Sequence, residues 1–176
     1  GWSSRRQPVP GWCPPLASLL AARLTAGVRP QRKLPMTHQI FIAQSDAEIT
    51  ACFEAFKVLR PNISKDKFLP QVRRQQEQAY QIVALQRDRE VKSAAGFRIS
   101  EFLAWGKVLY IDDLTTLEGE RGNGYASSVL DWLTAHAKQM QCASLHLDTG
   151  YARHAAHRVY LKKGFQLNCH HLELKI

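Results

Sequence analysis

The stretch "LTTLEGERGNGYASSVLDWL", Leu114 to Leu133, limits the fold more than any other part of the chain. An alternating, β-branched run leads into it and a helical pattern leads out. Between them lies a turn holding two glycines and an arginine, more than a plain strand-to-helix connection requires. The helix it opens repeats Ala126, Val129, Leu130, Leu133, Ala137 and Met140 at three- and four-residue spacing, so one face packs on a sheet. A strand feeding a helix in this way points to an α/β protein, and the glycine turn to a loop that holds something.

Around this seam the pattern predicts a strand at Gln39 to Ala43, then a helix capped by Ser45 or Asp46 and running to about Arg60. Its apolar face is Ile49, Phe53, Phe56 and Leu59, and "RPN" ends it. A polar helix from about Ser64 to Gln78 follows, with Pro70 inside it. Three strands come next, Tyr80 to Gln86, Ser93 to Leu103 and Lys107 to Glu118. Beyond the seam helix (Asn123 to Met140) the pattern gives a strand "ASLHLD", a helix from Ala152 to Lys163 and a terminal strand Phe165 to Ile176. In that last strand the apolar phase slips between Leu167 and Leu172, which predicts a bulge or bend near His170.

Charge narrows the partners. A net charge of +9 suggests a nucleic-acid or membrane surface until its distribution is read. Six of the 24 basic residues (Arg5, Arg6, Arg23, Arg29, Arg32, Lys33) lie in residues 1–35, which hold no acid, leaving 18 against 15 acidic residues and a net of only +3. The same segment has six of the eight prolines, and its apolar stretch Leu16 to Leu24 is too short to span a bilayer. It reads as a disordered arm or upstream extension, with an organelle transit peptide as the competing reading. The folded domain is expected to be residues 36–176, with no nucleic-acid or membrane partner. Cys13, Cys52, Cys142 and Cys169 form neither a CxxC pair nor a zinc-spaced Cys/His set, so no metal is expected and reduced thiols in the cytoplasm are the simplest account.

The turn Arg121-Gly122-Asn123-Gly124-Tyr125-Ala126 opens a helix directly after a strand, where free amides and close backbone approach favour a phosphate. A nucleoside-triphosphate loop needs Gly-Lys-Ser/Thr, and the first lysine after Gly124 is Lys138. A dinucleotide fold is the stronger competitor, since "GNGYAS" is one residue from GxGxxG and Asp148 ends the next strand. Three features oppose it: Ser127 at the last motif position, the polar stretch Glu118 to Glu120 before the glycines, and only 52 residues after Gly124.

Arg121-x-x-Gly124-x-Ala126 matches the R/Q-x-x-G-x-G/A signature of the GNAT N-acetyltransferase superfamily. Downstream, Ala156, Val159-Tyr160 and Gly164-Phe165 match that family's later motif. With the element order from Gln39 to Ile176, the chain resembles this superfamily over nearly its whole body. The resemblance implies a mixed, strongly twisted sheet with helices on both faces, acetyl-CoA as cosubstrate, and transfer of an acetyl group to a primary amine by direct attack in a ternary complex. It implies that the CoA diphosphate rests on backbone amides of Gly122, Asn123, Gly124, Tyr125 and Ala126, beside Arg121. Backbone groups of Leu114, Thr115, Thr116 and Leu117 would pair with the pantetheine arm, and one N–H there would face the thioester oxygen. Tyr160 stands where the family's tyrosine protonates the departing thiolate. Arg153, His157 and Tyr160 share one helical stripe, expected to face the cofactor while Ala152 and Val159 cover the sheet; Arg153 replaces a frequent asparagine of the family.

An attacking alkylammonium with a pKa of ~10 must shed a proton. Asp112, Asp113, Glu118 and His157 are the candidate bases or steering groups, and strand alternation lets only one of Asp112 and Asp113 face a cleft. An acid there would suit a cationic acceptor such as a polyamine, a lysine or an aminoglycoside; a protein amine is the other option. About twelve residues follow Gly164, so the sheet is expected to end short and to be completed in a homodimer. The alternative reading is a non-catalytic CoA-binding or regulatory protein of the same fold.

Overall fold

A single parallel pairing sets the character of an otherwise antiparallel sheet. The computed structural model describes residues 38–176; the expectations for residues 1–35 lie outside them. The elements are β1 (Gln39–Ile42), α1 (Asp46–Ala51), α2 (Phe53–Leu59), α3 (Lys65–Gln76), β2 (Tyr80–Arg87), β3 (Glu90–Phe102), β4 (Gly106–Thr116), a 3₁₀ turn (Glu118–Glu120), α4 (Tyr125–Gln139), β5 (Ser144–Leu147) and α5 (His154–Lys162). The strands lie in the order β1-β2-β3-β4-β5. Only β4 and β5, joined through α4, run parallel.

The sheet is buried on both faces because its middle strands are apolar at consecutive positions. In β2, Ile82 and Ala84 join Ile49, Phe53, Phe56, Phe68 and Val72 of α1–α3, while Val83 and Leu85 join Val129, Leu130 and Leu133 of α4. Truncating Leu130 or Leu133 to alanine would remove fully buried volume from that second layer, a change that typically costs about 2–5 kcal/mol. The expected mixed α/β sheet with helices on both faces is therefore present.

Two expectations need correction. The first helix does not run unbroken to Arg60. At Cys52 the backbone N–H bonds the Ile49 carbonyl three residues back (3.0 Å), a 3₁₀-type tightening that separates α1 from α2. The terminal strand from Phe165 to Ile176 is absent; these residues form no ladder, and Leu167, Leu172, Leu174 and Ile176 are exposed. The available edge, β5, is four residues long, and the change of apolar phase before Leu172 denies the segment one register that buries one face.

A finer departure matters for the site. β3 and β4 shift register between Gly96 and Phe97: Gly96 pairs with Asp113 and Phe97 with Ile111, which leaves Asp112 as the extra residue of a bulge. Leu109 and Ile111 pack toward α4, and so does Leu114, although unbroken alternation would turn it the other way. Thr115 instead faces α2, its Oγ1 donating to the Ala55 carbonyl at 2.8 Å. The bulge turns both aspartates to the α2–α3 face.

Candidate active site

The glycine turn has the backbone its sequence suggested. Gly122 (φ 85°) and Gly124 (φ 81°) both lie in the left-handed region, where a side chain is strained, and open space surrounds each. Gly124 is the N-cap of α4, with no side-chain capping bond and no acid in the first turn. The first-turn amides therefore lack the side-chain acceptor that ordinarily satisfies them. Neighbours fix the turn from below. Arg87 Nη1 donates to the hydroxyl of buried Tyr125 (2.7 Å), Lys92 pairs with Glu120 (2.9 Å), and Asn123 Nδ2 donates to the Glu120 carbonyl (3.2 Å). Arg121 and Glu118 are exposed and form a loose ion pair at 3.8 Å. Glu118 thus stands paired with the arginine of the turn.

Ahead of the turn, β4 loses one neighbour before the other. It pairs with β5 only from Val108 to Ile111, but with β3 as far as Thr116. The Leu117 N–H donates to the Lys92 carbonyl (3.0 Å), and the Thr115 carbonyl accepts from the hydroxyl of Ser93 (2.6 Å). Those groups point toward β3, and alternation turns the backbone of Leu114 and Thr116 to the side where β5 has ended. Of the four residues expected to offer backbone groups, the strand thus directs Leu114 and Thr116 outward and Thr115 and Leu117 inward. Just past the end of β5, Thr149 Oγ1 is the one buried side-chain polar atom among the described residues without a hydrogen-bond partner.

On the α2–α3 face the bulge opens a cavity of about 340 Å³. Phe56, Ile63, Phe68 and Val72 form its apolar wall, Gln71 and Gln75 add amides, and Arg60, Arg98, Tyr80, Asp112 and Asp113 form the polar side. Both aspartates line it, against the expectation that only one does. Arg60 donates through Nε and Nη2 to Asp113 Oδ1 (2.9 and 2.8 Å), and Tyr80 OH donates to Asp113 Oδ2 (3.3 Å). Arg98 donates through Nε and Nη2 to Asp112 Oδ2 (2.8 and 2.7 Å), which leaves Asp112 Oδ1 without a protein partner among the described residues. Burial lifts the Asp112 carboxyl above its ordinary range, with Arg98 offsetting part of the effect. Burial, reinforced by Asp113, lifts the Tyr80 phenol well above its own.

Helix α5 carries the remaining expected residues. Tyr160 is half-buried against the α4 layer, 5.7 Å from the Phe165 ring, and its hydroxyl has no partner among the described residues. Burial raises its phenol above the ordinary value and Arg153 opposes this. Arg153 is the exposed N-cap of the helix. The ring of His157 is tied through Nε2 to the Gly150 carbonyl (3.0 Å), a contact that braces the β5–α5 loop. Val159 covers the sheet as expected, but Ala152 is exposed ahead of the helix and does not.

Sequence reading missed three residues on the polar side of the cavity, Arg60, Arg98 and Tyr80. Arg60 and Arg98 lie 53 and 14 residues from their aspartates, so no local pattern links them. Tyr80 lies over Gly96 so closely that a Cβ there would meet its hydroxyl at 1.8 Å. An isolated glycine inside a strand was the one available signal of such close approach. A further triad joins the chain's end to the sheet: Asp148 Oδ2 accepts from Tyr110 OH (2.5 Å) and pairs with His171 Nδ1 (3.1 Å). Among the described residues no group of three or more His, Cys, Asp or Glu is placed to hold a metal ion, and no helix is long and apolar enough to cross a membrane.

An uncapped helix after a glycine turn, a strand edge released by its parallel neighbour and a lined cavity at the bulge are the features that the α/β frame brings to this region. The sequence model of the Acetyltransferase (GNAT) family matches residues 38–165, and the chain belongs to that family. It is 29% identical over 93 residues to the uncharacterized N-acetyltransferase YhdJ of Bacillus subtilis (strain 168), a match covering 52% of this chain and 66% of that protein. The chain thus spans just under two thirds of that relative's length. Similar solved structures include an acetyltransferase of Trypanosoma brucei (18% identity, TM-score 0.65, 80% of this chain and 100% of that one). Another is the aminoglycoside N-acetyltransferase AAC(6')-Iy in complex with CoA (14% identity, TM-score 0.66, 81% and 98%). At these identities the structural likeness speaks to the fold.

Proposed function

We propose that this chain is an N-acetyltransferase that moves an acetyl group from acetyl-CoA to a primary amine by direct attack in a ternary complex. The observation that carries the reading is the N-terminus of α4, left without a cap by two left-handed glycines, next to the β4 edge that β5 leaves open. Family membership and the CoA bound to AAC(6')-Iy support it. So does the orphan hydroxyl of Thr149 where β5 ends, because a buried polar atom without a partner is costly unless a ligand satisfies it.

Acetyl-CoA supplies the thioester carbonyl, and the residues of the chain supply the rest. The amides of Gly122 to Ala126 and the α4 dipole hold the diphosphate, with Arg121 adding positive charge at its rim. The outward backbone of Leu114 and Thr116 takes the pantetheine amides as a strand would and leaves an N–H for the developing oxyanion. The ammonium first gives one proton through Asp112 Oδ1 to solvent. As the neutral amine forms the C–N bond and the C–S bond breaks, its second proton passes to Asp112 Oδ1, and the departing sulfur takes the phenol proton of Tyr160, which solvent restores. Asp113 has both oxygens engaged and positions Arg60 and Tyr80 instead. We further propose that the protein acts in the cytoplasm as a homodimer. The exposed Leu172, Leu174 and Ile176 recur at strand spacing beside an edge, β5, that has no outer partner among the described residues.

Thermal unfolding with acetyl-CoA, with NADH and with neither tests the reading. A ligand at a hundred times its dissociation constant stabilises by ~2.7 kcal/mol, several degrees for a chain of this size. A rise with acetyl-CoA alone is expected. A rise with NADH alone would replace the reading with dinucleotide binding.

A further inference from the structure

The cavity at the bulge carries information on the acceptor that its two aspartates alone misrepresent. Four charged residues line it, Arg60, Arg98, Asp112 and Asp113, and their formal charges cancel. Each carboxylate is already met by a guanidinium at 2.7–2.9 Å. A polycation entering here would face two arginines and no surplus of negative charge. Its desolvation would go uncompensated, because a buried charge needs a partner of its own. The residual valences are of both signs. Asp112 Oδ1 accepts no protein hydrogen bond among the described residues, while Arg60 uses only Nε and Nη2 on Asp113 and keeps Nη1 for a further acceptor. Opposite them stands the apolar wall of Phe56, Ile63, Phe68 and Val72. At about 340 Å³ the cavity is at the small end of ligand sites, which run from roughly 300 to 1,000 Å³, a size that suits a small molecule.

From this arrangement we infer that the acceptor is a small zwitterionic amine, a free α-amino acid with an apolar side chain. Its ammonium meets Asp112 Oδ1, its carboxylate meets the free edge of Arg60, and its side chain lies on the Phe56–Phe68 wall. The inference rests on the proposed acetyl transfer for its consequence, since the amine held at Asp112 is the one acetylated. It replaces the cationic acceptors that the two aspartates suggest when the sequence is read alone.

The test uses the full chain with CoA present and measures binding by calorimetry beside turnover by thiol release from acetyl-CoA. The probes are L-leucine, L-methionine and L-phenylalanine, their methyl esters, and spermidine. At least one amino acid should bind and turn over about tenfold or more better than its ester, the scale of one charge-assisted hydrogen bond. Arg60→Gln should abolish that advantage, weakening the amino acid about tenfold more than the ester. Binding with the same preference but no thiol release would uphold the acceptor class and refute acetyl transfer. Acetylation of spermidine or of the esters at least as fast as of the amino acids would uphold transfer and overturn the acceptor class. No binding of any of the three amino acids, or an advantage that survives Arg60→Gln, would also overturn it.

Discussion

The N-termini of α1 and α4 are finished in opposite ways. At α1, Ser45 Oγ accepts the Glu48 N–H (3.3 Å), and Glu48 Oε2 accepts the N–H groups of Ser45 and Gln44 (both 2.9 Å). This is a complete capping box on a helix of six residues. At α4, fifteen residues long, Gly124 provides no side chain and the first turn contains no acid. Asn123, a residue type that caps well, turns its amide back to Glu120 instead. The short helix satisfies its own amides; the long one leaves them for something else. The contrast separates a helix end closed by its own side chains from one left open, where the diphosphate is proposed to rest, and it depends on residue chemistry rather than on helix length.

The strongest way to break the contrast is to close α4. Gly124→Asp places a negative cap, and a strained left-handed aspartate, where the diphosphate is proposed to rest. Loss of several charge-assisted hydrogen bonds at ~1.5–3 kcal/mol each predicts a rise of roughly a hundredfold or more in the dissociation constant for acetyl-CoA, read by calorimetry. The reverse experiment opens α1. Ser45→Ala should cost about 1 kcal/mol of stability, a fall of ~2–4 °C in unfolding temperature, with acetyl-CoA affinity unchanged.

The smallest effect concerns pH. The N–H groups of Ser45 and Gln44 hold the Glu48 carboxyl below the ordinary glutamate range. A depressed folded value means that this contribution is present above the unfolded glutamate pKa and is lost as pH falls through the folded one. Hydrogen-exchange protection factors at the start of α1 should therefore decline on acidification more than those of α4, which has no acid in its first turn.

How far each feature could be read from sequence depended on whether its cause was local. The α4 stripe and the glycine turn were legible because helical period and positive-φ chemistry lie within a few neighbouring residues. The strands β2 to β4 were legible for the same reason. The bulge at Asp112 was not, since a one-residue shift in pairing depends on the partner strand and leaves no mark in β4 itself. With it went the side-by-side aspartates and their distant arginines, Arg60 and Arg98. The segment after Phe165 failed differently. Its alternating leucines have the composition of a strand, but a ladder also needs an edge of matching length and phase, and β5 offers four residues.

Amide NMR of the uniformly ¹⁵N-labelled chain, titrated with CoA, tests the open helix end most directly. The amides of Gly122, Asn123, Gly124, Tyr125 and Ala126 should shift strongly while those of Glu48 and Ile49 stay in place. Saturable CoA binding that leaves the five turn amides unmoved would contradict the account.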